Sequence, residues 1–298
     1  MLKIKKFFKE NGAGYVFMLP LVLGLAILTV YPVVQALIIS FYEYDGFATA
    51  NYIGFDNFVR AFTIDTQFWK VVGNTFLYAF LNVPFTMILS YLLALFVNKN
   101  IKGISVFRTL FYLPCVIPGI VMGVMWGDFM AYPSGAFNEI FAALGLPRFT
   151  FLSVASTSMA SLFIMGLWGI GGGMILWLAA LKNIPAAMYE AADIDGAGKA
   201  FVLFRITIPM STTTIFYNLI VGVIGTLQIN STLIFAPGGT GIDNSLYFFS
   251  VKIYKEAFQR SSMGYASALA WILAVVIGLI TIVLFKTSGW VYAEDENV

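Results

Sequence analysis

The charged residues of the chain fall in short clusters, which are separated by six long runs that contain no Asp, Glu, Lys or Arg. The runs are 19 to 37 residues long and consist mainly of apolar residues. A helix needs about 20 such residues to cross the hydrocarbon core of a bilayer. Each run therefore predicts one transmembrane helix. The runs are Asn11–Tyr42, Val71–Asn98, Thr109–Gly127, Phe149–Leu181, Ile206–Ile242 and Ser261–Phe285.

The runs predict an all-α, polytopic membrane protein with six transmembrane helices in a single domain, residues 1–298. Spanning barrels need strands that alternate apolar and polar residues, and the runs lack that alternation. Composition agrees, since 60% of the 298 residues are apolar and only 17 basic and 15 acidic side chains are present. These values exclude a soluble domain, a disordered chain and a disulfide scaffold. The predicted spans are about 15–41, 71–97, 105–127, 154–181, 210–235 and 262–285.

The basic residues between the runs predict the orientation in the membrane. Six spans place both termini on the same side. With that side in the cytoplasm, the inner segments hold eleven Lys and Arg residues and the outer segments hold six. We therefore expect both termini in the cytoplasm.

The runs carry no ionisable acid or base, and the chain has no His. Proton-coupled transporters place such groups inside the membrane, and intramembrane hydrolases need an activated nucleophile or metal ligands. The lone cysteine, Cys115, lies in the third run without a base to activate it. We expect no metal site and no catalytic residue. Amides, hydroxyls and aromatic rings are the groups available, and these suit an uncharged, polyhydroxylated solute such as a sugar.

Polar residues within the spans form two clusters. In span 2 they share one helix face, and we favour hydrogen bonding between helices as their role. In span 5 they are denser, so a solute path competes with packing. The span 2 cluster is Asn74, Thr75, Tyr78 and Asn82, and the span 5 cluster is Tyr217, Asn218, Thr226, Gln228, Asn230, Ser231 and Thr232.

The predicted cytoplasmic loop 182–209 has a pattern typical of two short helices. Pro185 suits a first helical turn, and Gly196 is placed to end that helix in a left-handed cap. A second helix from about Ala197 continues until Pro209 stops it. The loop is either a connector on the membrane surface or a contact site for a partner.

The sequence of this loop resembles the EAA loop of ABC-importer permeases, whose pattern is E-A-A-x3-G-x9-I-x-L-P. The chain has Glu190-Ala191-Ala192, then Gly196, then Ile206-x-Ile208-Pro209, with Ile208 in place of Leu. Over nearly its whole length the chain is similar to permeases of binding-protein-dependent carbohydrate ABC importers, in particular the first of the two paired subunits. A departure falls at residues 236–240, where relatives commonly have a Gly-Gly-Pro turn. Further matching segments are Phe17–Pro20, Tyr31-Pro32, Ser40-Phe41, Asn57-Phe58, Asn74-Thr75, Phe107-Arg108, Leu113-Pro114, Trp126 and Tyr265–Ala268.

This resemblance implies a type I importer permease fold and a set of partners in a bacterial or archaeal plasma membrane. The partners are a second, different permease subunit, two cytoplasmic ATPases that bind ATP and Mg²⁺, and an external solute-binding protein. The chain itself then contacts lipid, binds no cofactor and no nucleic acid, and is not an enzyme. Residues Glu190, Ala191, Ala192 and Gly196 are implied to dock into the ATPase and to transmit its closure.

The resemblance also implies a substrate path near mid-membrane. By the fixed spacing from the EAA loop, its candidate residues are Trp168, Gly169, Gly172, Gly222, Thr226, Gln228 and Asn230. The solute is then a sugar or oligosaccharide that the binding protein delivers. The alternative is a self-sufficient facilitator or channel for neutral solutes.

Overall fold

The computed structural model describes residues 2–47, 50–99, 102–229 and 239–289. The described residues are mostly helical, and a short antiparallel ladder pairs β1 (Tyr42–Glu43) with β2 (Asn51–Tyr52). The helices are α1 (Leu2–Leu25), α2 (Tyr31–Ile39), α3 (Asp56–Val59), α4 (Phe68–Val97), α5 (Ile104–Val116), α6 (Gly119–Phe129), α7 (Ala136–Ala143), α8 (Ala155–Leu167), α9 (Gly171–Asn183), α10 (Ala186–Ile194), α11 (Lys199–Val202), α12 (Thr212–Leu227), α13 (Phe249–Tyr254) and α14 (Met263–Lys286).

Five helical stretches are each long and apolar enough to cross a membrane, and a bent helix pair forms a sixth. This confirms the predicted six-span, helical fold. We number them span 1 (Gly14–Ile39), span 2 (Phe68–Val97), span 3 (α5 with α6), span 4 (Ala155–Asn183), span 5 (Pro209–Leu227) and span 6 (Met263–Lys286).

Span 3 differs from the continuous helix predicted at 105–127, because α5 and α6 meet at an angle of 98°. The two residues between them have extended backbone, with ψ of 127° at Ile117 and 136° at Pro118. Proline has no N–H and sterically pushes the residue before it out of the helical region. The Ile117-Pro118 pair therefore ends α5 and starts a new helix in another direction.

Spans 4 and 5 also depart from regular helices. A 3₁₀ turn at Trp168–Ile170 joins α8 to α9 within span 4. In span 5, α12 ends at Leu227, and the part of the predicted span from residue 230 onward lies outside the described residues. Mid-helix 3₁₀ turns often mark hinges or strained sequence, and this one lies in the glycine-rich part of the span.

The chain divides into two compact units, Met1–Asp65 with Ile253–Ala274 and Thr66–Lys252 with Val275–Val298. The second unit has a buried core where α4 meets α9. Its residues are Ala94, Val97, Met174, Trp177, Leu181 and Ile184.

Helix α9 also lies very close to α5. A β-carbon at Gly171 would overlap the carbonyl oxygen of Phe111, so only glycine allows this approach. Small residues at such positions let helix backbones pack tightly in membranes. Near the start of α5, the Arg108 guanidinium donates hydrogen bonds to the carbonyl of Val97, the last residue of α4. A cation suits the carbonyl end of a helix, so Arg108 fixes the turn between spans 2 and 3.

The first unit contains a buried carboxylate with two arginines beside it. Glu256 is fully buried, and its Oε1 accepts a hydrogen bond of 2.6 Å from Arg260. Its Oε2 lies 4.0 Å from the guanidinium of Arg60, which also covers the ring of Tyr265 at 4.0 Å. The hydroxyl of Tyr265 donates to Asp65 at 2.6 Å. This charged cluster, Arg60, Asp65, Glu256, Arg260 and Tyr265, ties the loop after β2 to the start of span 6.

We expect Arg260→Gln to destabilise the protein by about 1.5–3 kcal/mol, since a buried carboxylate loses its closest charged hydrogen bond. The matched control is Arg148→Gln, because the Arg148–Glu139 pair is 3.3 Å apart and both side chains are exposed. Exposed pairs contribute about 0–1 kcal/mol. Thermal unfolding of the purified protein in detergent measures both variants. Equal shifts of the midpoint in the two variants would contradict this assignment.

Candidate functional site

The loop between spans 4 and 5 forms the predicted helix, and its end has the predicted glycine cap. Helix α10 runs from Ala186 to Ile194, and Gly196 has a φ of +70°. The N–H of Gly196 donates to the carbonyl of Asp193 at 3.2 Å, and the N–H of Ala197 donates to that of Ala192 at 2.9 Å. These two bonds define a Schellman motif, in which only glycine adopts the left-handed conformation without strain. The cap therefore fixes the direction in which the chain leaves α10.

The predicted docking residues lie on different faces of this helix. Glu190 and Ala191 are exposed, whereas Ala192 is buried against the protein. A β-carbon at Gly196 would contact nothing, so space is free around the turn. The surface beside these residues is apolar, since Ile194 and Phe204 expose 87% and 66% of their area.

The segment after Gly196 differs in detail from the predicted second helix. Helix α11 begins at Lys199 and is followed by a π-turn at Leu203–Thr207. Pro209 does not end the helical path as predicted. It starts a 3₁₀ turn, Pro209–Ser211, that leads directly into α12. Proline is tolerated there because the first turn of a helix has no partner for its N–H groups.

A cavity of about 380 Å³ lies inside the second unit, between spans 2, 3, 4 and the end of span 5. It forms where the break in span 3 faces the 3₁₀ turn of span 4, and the Sγ of Cys115 lies 3.5 Å from the carbonyl oxygen of Gly169. Apolar side chains, two aromatic rings and glycines form most of its wall. The lining residues are Tyr78, Pro114, Cys115, Ile117, Gly119, Met122, Trp126, Leu162, Met165, Gly166, Gly169, Gly172 and Ile229.

A polar corner adjoins this cavity at Gly166. The Tyr78 hydroxyl and the Asn82 Oδ1 would each lie 3.0 Å from a β-carbon at Gly166. The amide nitrogen of Asn82 donates to the Thr226 hydroxyl at 3.4 Å, while its Oδ1 is buried without a partner in the described part of the chain. A buried acceptor without a partner is costly, so this corner favours a ligand or a second conformation that supplies a donor.

An aromatic pair also stands at the cavity wall, which Trp126 lines. The rings of Trp126 and Trp168 meet edge to face, with centroids 5.2 Å apart. Trp126 is 5% exposed, and its Nε1 has no partner among the described residues. Flat aromatic faces beside neutral polar groups can bind the apolar faces and hydroxyls of a sugar ring.

The residues predicted for the substrate path do not all meet here. Gly169 and Gly172 line the cavity, Trp168 contacts its wall through Trp126, and Thr226 belongs to the polar corner. Gly222 faces Val83 instead, since a β-carbon on this glycine would lie 3.5 Å from the Val83 side chain. Gln228 is exposed at the end of α12, and Asn230 lies outside the described residues.

Sequence reasoning did not assign Tyr78, Asn82 or Trp126 to the substrate path. Tyr78 and Trp126 line the cavity, and Asn82 borders it at the polar corner. Sequence reasoning assigned the polar face of span 2 to hydrogen bonding between helices, whereas the first half of this face bonds to the segment 244–249. Asn74 donates to the carbonyls of Asn244 and Tyr247, and the Thr75 hydroxyl accepts the N–H of Phe249. One turn further along, the same face reaches the cavity. The available signal was the i, i+4 spacing of Tyr78 and Asn82.

In the described part of the chain, no three His, Cys, Asp or Glu side chains are close enough to hold a metal ion together. The cavity wall also contains no charged side chain. The site can therefore hold an uncharged group through hydrogen bonds and ring contacts.

Comparison with known proteins decides the family. No model of a protein family matches the chain. The probable ABC transporter permease protein YesP of Bacillus subtilis (strain 168) is 35% identical over 301 residues, which cover 100% of this chain and 97% of that protein. The chain is an ABC transporter permease. The lactose transport system permease protein LacF of Rhizobium radiobacter is 27% identical, with 96% of each chain covered.

Solved structures agree with this family. A permease chain of a bacterial ABC transporter that imports the acidic polysaccharide alginate superposes with a TM-score of 0.85 and 25% identity. The match covers 96% of this permease and 98% of that chain. The same system has been solved with a periplasmic protein that carries an alginate pentasaccharide, at a TM-score of 0.85. The permease therefore has the type I importer fold that its EAA loop implied.

The only cysteine of the permease allows a direct test of the cavity. We expect a small, water-soluble methanethiosulfonate to modify Cys115 in the assembled transporter, at a rate that changes when an ATP analogue is bound. Mass spectrometry of the peptide measures the modification. Val121→Cys in a Cys115→Ala background is the control, because Val121 is exposed on α6 and does not line the cavity. Modification of Val121→Cys without modification of Cys115, or of neither position in any nucleotide state, would contradict access of water to the cavity.

Proposed function

We propose that this permease is one of two different membrane subunits of an ATP-driven importer with two cytoplasmic ATPases, and that its EAA loop docks into a cleft of one of these ATPases. The observation that carries the proposal is the glycine-capped helix α10, which presents Glu190 and Ala191 beside exposed apolar surface. A rigid helix with a small-residue face suits insertion into a cleft of a partner. The energy for transport then enters through this loop.

The proposed solute is a sugar or oligosaccharide delivered by an external binding protein. The cavity supports it, because its wall combines Tyr78, Trp126 and neutral hydrogen-bonding groups. The names of relatives point the same way, since they include permeases of a diacetylchitobiose uptake system of Streptomyces coelicolor and of an arabinooligosaccharide transport system of Bacillus subtilis. The substrate path proposed here consists of Trp168, Gly169, Gly172 and Thr226, with Tyr78, Asn82 and Trp126 added.

The remaining expectations belong to the same proposal. Both termini face the cytoplasm, the chain contacts lipid, and it catalyses no reaction itself. ATP and Mg²⁺ are held by the ATPases, so this chain needs no cofactor. In the transport cycle, closure of the ATPases pulls on α10 and opens the path outward, and their separation after hydrolysis opens it inward.

Reconstitution in liposomes tests the proposal against a self-sufficient facilitator. We expect uptake of a labelled oligosaccharide only when the second permease, the ATPases, the binding protein and ATP are all present. The purified permease alone should give the rate of empty liposomes. Uptake by the permease alone, down a gradient and without ATP, would establish the facilitator instead.

Gly196 offers a matched pair of variants for the docking loop. Gly196→Ala forces a side chain into the left-handed region, which costs about 1–2 kcal/mol. Gly198→Ala is the control, because Gly198 has a φ of −70° and open space around it. We expect the first variant to lower uptake per ATP hydrolysed about fivefold or more, and the second to leave it unchanged. Cross-linking of Ala191→Cys to cysteines in the ATPase cleft reports docking, and its absence in every nucleotide state would remove the docking proposal.

A further inference from the structure

A chain of hydroxyl groups begins at the docking helix and ends in span 2. It joins Tyr189, Thr207, Ser211 and Tyr91, which lie on α10, the π-turn after α11, the 3₁₀ turn before α12, and α4. The three contacts are Tyr189 OH to Thr207 Oγ1 at 3.3 Å, Ser211 Oγ to the Thr207 carbonyl at 2.6 Å, and Tyr91 OH to Ser211 Oγ at 3.3 Å. Four separate elements are thus connected within the second unit.

The direction of the hydrogen bonds follows from their neighbours. The hydroxyl of Thr207 donates to the carbonyl of Val202, so it accepts from Tyr189. The hydroxyl of Ser211 donates to the carbonyl of Thr207, so it accepts from Tyr91. Each tyrosine hydroxyl therefore donates a hydrogen bond to a buried hydroxyl group. The accepting residues, Thr207 and Ser211, are only 5% and 1% exposed.

The span 2 end of the chain is held by an aromatic contact. The ring of Tyr91 meets the ring of Trp177 edge to face, with centroids 5.0 Å apart. The indole N–H of Trp177 donates to Ser90 at 2.8 Å, and both residues are buried. Span 4 is thereby fixed to span 2 at the same level as the hydroxyl chain.

The four hydroxyl groups of this chain lie among apolar side chains, which is an unusual environment for them. The ring of Tyr189 packs on the core of α4 and α9, and Leu203, Ile208 and Ile215 line an apolar groove beside Tyr91. Apolar contacts are non-directional and let helices slide, whereas hydrogen bonds in a low-dielectric surrounding fix distance and direction. A π-turn, the form of Leu203–Thr207, recurs at functional sites.

We propose that Tyr189, Thr207, Ser211 and Tyr91 are positioning residues that transmit the motion of the docking helix to spans 2 and 5. This rests on the proposed docking of an ATPase on α10. When α10 moves, the hydrogen bond from Tyr189 displaces Thr207. The bonds from Ser211 to Thr207 and from Tyr91 to Ser211 pass this displacement on to α12 and α4. Spans 2 and 5 supply Tyr78, Asn82 and Thr226 to the polar corner of the cavity. The chain of hydroxyls is therefore the polar connection between the loop and the walls of the substrate path.

Removing single hydroxyl groups tests the proposal in the complete transporter. Tyr189→Phe and Tyr91→Phe keep each ring and delete one hydrogen bond. We expect either variant to lower uptake per ATP hydrolysed about threefold to tenfold. This fold-change corresponds to the net free energy of one neutral hydrogen bond. The double variant should lose no more than a single one, because a series connection breaks only once. Tyr217→Phe on α12 is the control, since Tyr217 is 54% exposed and outside the chain of hydroxyls, and it should retain the normal ratio.

The other outcomes separate this proposal from the one it rests on. The cross-link from Ala191→Cys to the ATPase is measured in each tyrosine variant. If the cross-link forms and uptake per ATP is normal, the hydroxyl chain plays no part in coupling and the proposal is overturned. A lower unfolding temperature with normal uptake per ATP hydrolysed would also overturn it. So would a double variant whose loss of uptake per ATP equals the sum of the two single losses. If the cross-link is missing in the unmodified transporter as well, the docking proposal itself fails.

Discussion

The bilayer core offers no water to backbone N–H and C=O groups, so every interruption of a spanning helix must be covered by protein or line a wet space. Among the described residues, two such interruptions lie beside the cavity, at Ile117-Pro118 in span 3 and at Trp168–Ile170 in span 4. They face each other, as the contact between Cys115 and Gly169 shows. The cavity lies at their junction. Its place in the fold therefore follows from the backbone, and its chemistry follows from the neutral side chains around it.

The sequence predicted the helices well because lipid requires long charge-free runs, and such runs can be read directly from the amino-acid sequence. It also predicted the left-handed conformation of Gly196, since a glycine that follows a run of helix formers commonly ends the helix in a left-handed cap. The 98° bend of span 3 was not predictable. Pro118 indicates a break, but the direction of the new helix depends on tertiary contacts such as the close approach of Gly171 to Phe111.

The candidate site was predicted only in part for a similar reason. Spacing from the EAA loop pointed to Gly169 and Gly172, because α9 of span 4 ends at Asn183 and leads directly into that loop. The polar face of span 2 has no such reference point, and its residues look alike in the sequence whether they bond to a loop, as Asn74 does, or border a cavity, as Asn82 does. Burial of Glu256 was equally hidden, since its partner Arg60 is almost 200 residues away in the chain.

Under the proposed function, the uncharged cavity binds the solute, and the loop with its glycine cap transmits the energy for transport. The wall of the cavity carries no charged side chain, and under the proposed function the energy for uphill movement enters from the ATPases through the loop. Under the proposed docking, the cap at Gly196 would hold α10 in a fixed direction while its motion passes along α12 and α4 to Thr226 and Tyr78. Apolar packing alone would allow part of that motion to be lost as sliding. The hydrogen bonds of the proposed hydroxyl chain would reduce this loss, because their geometry is directional whereas that of apolar contacts is not.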